Sequence, residues 1–112
     1  MGIYKQLERL ESLSEDWDNY GANKIPKKVI DNIKLFFNTN NRKYRFSLVP
    51  NPYGTVSLIR DIDTIIIHLE IGITKFSFYT NTSKTYTIKE EAVSVENFKR
   101  VGDLMRSILR KN

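Results

Sequence analysis

Asp16-Trp17-Asp18-Asn19-Tyr20-Gly21-Ala22 is the stretch on which the reading of the fold turns. It holds the only Trp of the chain and joins two amphipathic helical patterns ahead of a long run of strands. Before it, Ile3, Leu7, Leu10 and Leu13 recur at helical spacing, with Lys5, Glu8, Arg9 and Glu11 off that stripe, which predicts a helix over about residues 2–14. Within it, Gly21 can take a positive φ without penalty, which suits a sharp reversal after that helix. Asp16, Asp18 and Asn19 can hydrogen-bond nearby backbone N–H groups and close the loop on itself. Trp17 and Tyr20 each carry a large apolar area and one polar handle, so both are expected to bury their rings and plug the sheet. Asp16-x-Asp18-x-x-Gly21 also has the look of a calcium loop. Its fifth and twelfth positions, however, are Tyr20 and Lys27, where an oxygen ligand and a bidentate Glu are needed, so no metal is expected.

Working outward, Pro26 suits the first position of a second helix, where its missing N–H goes unmissed. Val29, Ile30, Ile33, Phe36 and Phe37 then give that helix a broad apolar face, and Asn38-Thr39-Asn40-Asn41 stops it. From Tyr44 the period changes to two. Tyr44, Phe46 and Leu48 form a first strand; Pro50 to Gly54 is a loop; Val56 and Leu58 alternate in a second strand, reversed at Asp61-Ile62-Asp63. Ile65, Ile67 and Leu69 line one side of a third strand, Phe76 and Phe78 a fourth after a turn at Gly72, and Tyr86 and Ile88 a fifth after Asn81-Thr82-Ser83. Ser94 is placed to cap a last helix whose stripe is Phe98, Val101, Leu104, Met105, Ile108 and Leu109. The expectation is one α+β domain over residues 1–112. It has two N-terminal helices, a five-stranded antiparallel meander and a C-terminal helix packed on the sheet.

Trp-Asp-x-Tyr-Gly-Ala, after a Leu-rich helix and before a helix opening at Pro, resembles a family of small prokaryotic and phage proteins. Its members typically read Asn-Trp-Asp-Gly-Tyr-Gly-Ala, followed by a helix, a Pro-containing strand end, a Gly turn and a meander. The matching residues are Trp17, Asp18, Tyr20, Gly21, Ala22 and Pro26, and later Pro50 and Gly54, while Asn19 stands where the family usually has Gly. The family carries no established activity. What the resemblance implies is a fold and a setting among accessory proteins of phages and other mobile elements, antitoxin-like or directed against host defence.

Composition narrows the chemistry. With 112 residues the chain can bury about two-thirds of its extended surface and fold alone. It has no Cys, hence no disulfide framework, thiolate nucleophile or Cys-based metal site. No secretory h-region is legible in residues 1–13, and the longest apolar run, Ile65-Ile66-Ile67, is far too short to cross a bilayer, so a cytoplasmic protein without a membrane partner is expected. The net charge of +5 is uneven: residues 1–20 hold two Lys/Arg against five Asp/Glu, and the remainder sixteen against eight.

The residues bear on four function classes. His68 is the only His, so any imidazole chemistry runs through it; Glu70 shares its face, but no nucleophile, oxyanion donor or phosphate loop is legible, and neither an enzyme nor a cofactor is expected. A nucleic-acid module would use Lys99, Arg100, Arg106 and Arg110 of the last helix, with Lys75, Tyr79 and Lys89 from strands. The best-supported class is a protein-binding accessory domain. Its candidate partner face is Ile59, Ile66, His68, Lys75 and Tyr79, apolar for a strand face turned to solvent, which serves a different protein or a homodimer. A small-ligand module is the third alternative. The opposing expectation for that face is burial beneath another element such as the first helix.

Overall fold

From Ser47 onward, branched and aromatic side chains at every second position let the backbone pleat with one apolar side, and the chain uses that side to build a sheet. The computed structural model describes residues 2–39, 45–62, 65–82 and 87–110. Its strands are β1 (Ser47–Pro50), β2 (Val56–Ile62), β3 (Ile65–Ile71), β4 (Lys75–Thr82) and β5 (Thr87–Ser94), each antiparallel to its neighbours in the order β1-β2-β3-β4-β5. The helices are α1 (Ile3–Glu11), α2 (Lys27–Thr39) and α3 (Phe98–Arg110), and the architecture is α+β with an antiparallel sheet.

Register decides which residues share a side. Val56, Leu58, Ile67, Leu69, Ile71, Phe76 and Phe78 are buried, and they meet Leu7 and Leu10 of α1, Val29, Ile30, Ile33 and Phe36 of α2, and Phe98, Val101 and Met105 of α3 in one cluster. All three helices therefore contribute to the core on the same sheet face. Phe36 sits edge-on to Phe37, Phe46 and Phe98, with ring centroids 5.3, 5.9 and 5.4 Å away, the arrangement the ring quadrupole favours.

Several boundaries differ from the sequence reading, each for a local reason. α1 stops at Glu11 because Ser12 folds back, its N–H and hydroxyl both donating to the Arg9 carbonyl, ahead of the left-handed Asp16. Pro26 lies just before α2, where its carbonyl accepts from the N–H groups of Val29 and Ile30. Pro50 belongs to β1 opposite Val56, so the turn is Asn51 to Thr55, closed by the Gly54 N–H on the Asn51 carbonyl with Gly54 at φ 96°. Asp61 and Ile62 continue β2, and Asn81 and Thr82 continue β4, each paired with β3. Asn40, Asn41, Tyr44, Asp63, Ser83 and Tyr86 lie outside the described residues. Ser94 ends β5; its Oγ accepts from the Glu96 N–H in a single 3₁₀ turn, Val95–Asn97, that precedes α3.

Two buried or half-buried amides tie helices to strands. Asn32 of α2, 2 % exposed, donates through Nδ2 to the carbonyls of Gly72 and Ile73 at 2.9 and 2.7 Å, fixing the β3–β4 turn. Gln6 of α1 donates through Nε2 to the Phe46 carbonyl at 3.1 Å and accepts the Leu48 N–H on Oε1 at 2.9 Å. Its amide thus takes the place of a neighbouring strand along the outer edge of β1. Pro50, two residues on, has no N–H to offer there.

Candidate functional site: the open face of the sheet

The alternation that buries Ile65, Ile67, Leu69 and Ile71 of β3 turns Ile66, His68 and Glu70 the other way. Cross-strand pairing places Ser47, Ile59, His68, Tyr79 and Lys89 in one row over all five strands. Ile66 sits one row along, between Asp61 and Asn81, and Val49, Ser57, Glu70 and Ser77 form the row on the other side. Of the five expected partner-face residues, Ile59, Ile66, His68 and Tyr79 therefore lie together, while Lys75 shares the face but stands near the opposite end of the sheet. Ile66 is 47 % and Tyr79 40 % exposed. Burial of this face under α1 does not occur, because Leu7 and Leu10 of α1 belong to the core on the far side.

A polar chain runs through the face. Asn51 Nδ2 donates to Thr55 Oγ1 and to Ser57 Oγ, both at 3.0 Å, and Thr55 Oγ1 donates to Glu70 Oε2 at 2.8 Å. His68 Nε2 meets Ser57 Oγ at 3.0 Å, and its Nδ1 meets the Tyr79 hydroxyl across rings 4.7 Å apart. A neutral imidazole donates from one ring nitrogen and accepts on the other, so the two hydroxyls, each able to donate or accept, satisfy both nitrogens in either tautomer. Desolvation lowers the His68 pKa from its ordinary 6.5, and the Glu70 carboxylate raises it in part. The imidazole is therefore held neutral at pH 7.

Sequence reading saw no nucleophile for His68, and the structure supplies a hydroxyl partner, Ser57. The contact depends on the pairing register, which periodicity alone does not fix. Ser57, on the open side of β2, is only 5 % exposed, with Asn51 and His68 bonded to its hydroxyl. It lies in an inner strand paired on both sides, so the surrounding backbone N–H groups point along the sheet into ladders rather than up toward a developing oxyanion. Glu70, which shares the face of His68, makes no dyad with it: its carboxylate accepts from Thr55 and acts on His68 through its field alone.

The Asp16–Ala22 loop behaves differently from a plug. Asp16 Oδ1 accepts the Gly21 N–H at 2.7 Å, and Asp18 Oδ1 accepts those of Tyr20 and Ala22 at 2.8 and 3.0 Å. These bonds engage the carboxylates within the loop, and among the described residues no group of three or more His, Asp or Glu is placed to hold a metal. Asp16 and Asn19 adopt φ 63° and 64°, which short polar side chains tolerate, and Gly21 adopts 86°. Trp17 is half-buried and donates Nε1–H to the Asn23 carbonyl at 2.9 Å, outside the core cluster. Tyr20 is 91 % exposed at the tip. Neither ring plugs the sheet, because the Asx bonds close the loop without them. The loop reaches the sheet through the Asn23 N–H on the Pro52 carbonyl at 2.7 Å.

For the nucleic-acid alternative, Lys99 and Arg100 are exposed on α3. The side chains of Arg106 and Arg110, like that of Lys89, lie outside the described set. Among the described residues no helix is long and apolar enough to cross a membrane. Comparison of the chain with protein-family models, with curated proteins and with solved structures finds no match. The class stated by fold and site is thus a small α+β protein with helices on one side of its sheet and a mixed apolar and polar face open on the other.

Proposed function

We propose that the protein is a non-enzymatic accessory protein that binds a partner protein through the open face of its sheet. The observation that carries this reading is the exposure of Ile66 and Tyr79 beside the half-buried Ile59, on a face that all three helices leave uncovered. Apolar area grouped on a rigid, hydrogen-bonded surface is what a partner can bury at little conformational cost. The setting suggested by the loop motif is a phage or mobile-element conflict, in which such a protein occupies a toxin or a host defence factor.

The test is affinity capture from nuclease-treated host lysate, run in parallel with wild type, an Ile66→Asp/Tyr79→Asp variant and a Lys99→Glu/Arg100→Glu variant. A protein retained by wild type and by the α3 variant but lost with the sheet-face variant is the expected result. Equal retention by all three, or loss only with the α3 variant, overturns the reading. Light scattering of the pure protein tells whether the partner is a second copy of the chain.

A further inference from the structure

Glu70 leaves β3 half-buried, near the end of the sheet where the Asn51–Gly54 and Gly72–Thr74 turns come together. Between these turns lies a cleft of about 340 Å³ whose lining includes Pro26, Tyr53, Thr55, Glu70, Lys75 and Ser77. That volume is small for a ligand site and ample for one long side chain. Its walls are held from behind. Asn32 fixes the Gly72 and Ile73 carbonyls, Asn23 holds the Pro52 carbonyl, and Thr55 is held between Asn51 and Glu70. Its rim is apolar and open, with Tyr53 63 % and Ile73 52 % exposed.

Glu70 and Lys75 are the two charged groups of the lining, and they are not paired with each other. Glu70 takes one hydrogen bond from a neutral hydroxyl, and among the described residues no ion pair within 4.0 Å reaches it, from Lys75 or from His68. Its field instead acts on His68, raising that imidazole's pKa against desolvation. A carboxylate drawn partly out of water and given only a hydroxyl is short of counter-charge.

We propose that this cleft receives an arginine side chain of the partner protein, with Glu70 as its counter-ion and the Tyr53 ring as the surface its guanidinium lies against. The proposal rests on the reading of the open face as the partner surface. Glu70 and Ser77 form the row next to His68 and Tyr79, so the cleft is the end of that same surface. Arginine suits it better than lysine, because a planar guanidinium can bond a carboxylate through two N–H groups and stack on an aromatic ring at once. Lys75, exposed and also lining the cleft, opposes an incoming cation and would assist an anion, so its removal reads the sign of the occupant.

The probe is Nα-acetyl-arginine amide, titrated into ¹⁵N-labelled protein beside the lysine analogue and the neutral, isosteric citrulline analogue. Saturable shifts are expected at the amides of Thr55, Gly72, Lys75 and Ser77, weaker with lysine and absent with citrulline. Glu70→Gln, which keeps an acceptor for Thr55, should weaken binding roughly five- to tenfold. Tyr53→Ala should weaken it roughly two- to fivefold, and Lys75→Gln should tighten it. Equal response to citrulline, unchanged binding by Glu70→Gln, preference for lysine, or loosening by Lys75→Gln overturns the assignment. Capture of a partner lost with the sheet-face variant but indifferent to Glu70→Gln overturns the cleft and leaves the partner reading standing. Arginine binding without any protein captured through the face overturns the partner as its source.

Discussion

His68 is held by neighbours on three strands, and what they ask of it is a neutral ring. Ser57 and Tyr79 occupy its two nitrogens, Ile59 lies across the ladder, and Glu70 is the charged group whose field it feels. Desolvation outweighs that field, so the folded-state pKa lies below the 6.5 of an unfolded chain. The sign follows from linkage: above 6.5 both states are neutral and the fold keeps the full contribution. As pH falls below it, the unfolded chain takes up a proton that the folded ring resists, and stability is lost. The stability difference between wild type and His68→Gln, from urea unfolding at stepped pH, should therefore be level near pH 7.5 and shrink toward pH 5. A difference that stays constant or widens on acidification would refute this account. The presence of one His on an alternating strand was legible in the sequence; its hydroxyl partners were not, since they depend on how β2 and β4 slide against β3.

At the scale of elements, what the sequence made readable is what repeats. Period 3.6 over Val29 to Phe37 and period 2 over Ile65 to Ile71 each mark a face to bury, and the core follows from those two patterns. What it hid are single polar side chains whose partners lie some forty residues away. Gln6 reads as one more polar position on α1, and nothing near it in sequence announces that its amide completes the edge of β1. Asn32 reads as a flaw in an apolar stripe, yet it fastens the β3–β4 turn. Tyr20 misled in the opposite direction: an aromatic in a tight loop suggests burial, but Asp16 and Asp18 satisfy that loop alone and leave the ring outside. Gln6 yields the sharpest check. Gln6→Ala removes one donor and one acceptor and leaves the Phe46 carbonyl and Leu48 N–H facing outward, a loss of about 1–3 kcal/mol. Gln6→Glu should recover only part of it, since a carboxylate can accept from Leu48 but cannot donate to Phe46. Thermal melts indistinguishable among the three proteins would show that the clamp contributes nothing.

For the whole molecule, the central question is whether the sheet has one working side or two. All three helices contribute to the core face, and among the described residues no element covers the opposite one. Ile66 and Ile67 are neighbours in one strand with the same side chain, and they separate the two faces by a single step of the pleat. Ile67 is fully buried and Ile66 is 47 % exposed. A carboxylate two residues further on, in place of the equally buried Leu69, would be placed in the core with Leu58 and Phe78, not a charged group, as its cross-strand partners, a desolvation cost larger than the few kcal/mol by which small domains are stable. At position 66 it stays in water, and the change in folding stability should remain within about 1 kcal/mol. Leu69→Asp is thus expected to leave no cooperative thermal transition, and Ile66→Asp to melt within a few degrees of wild type. Were Ile66→Asp to unfold the protein too, the open face would be part of its own core, filled by a second copy, and light scattering of wild type across concentration would reveal that dimer. If Ile66→Asp folds normally, the isoleucine contributes little to folding, and its exposure beside Tyr79 is left for an external contact to use.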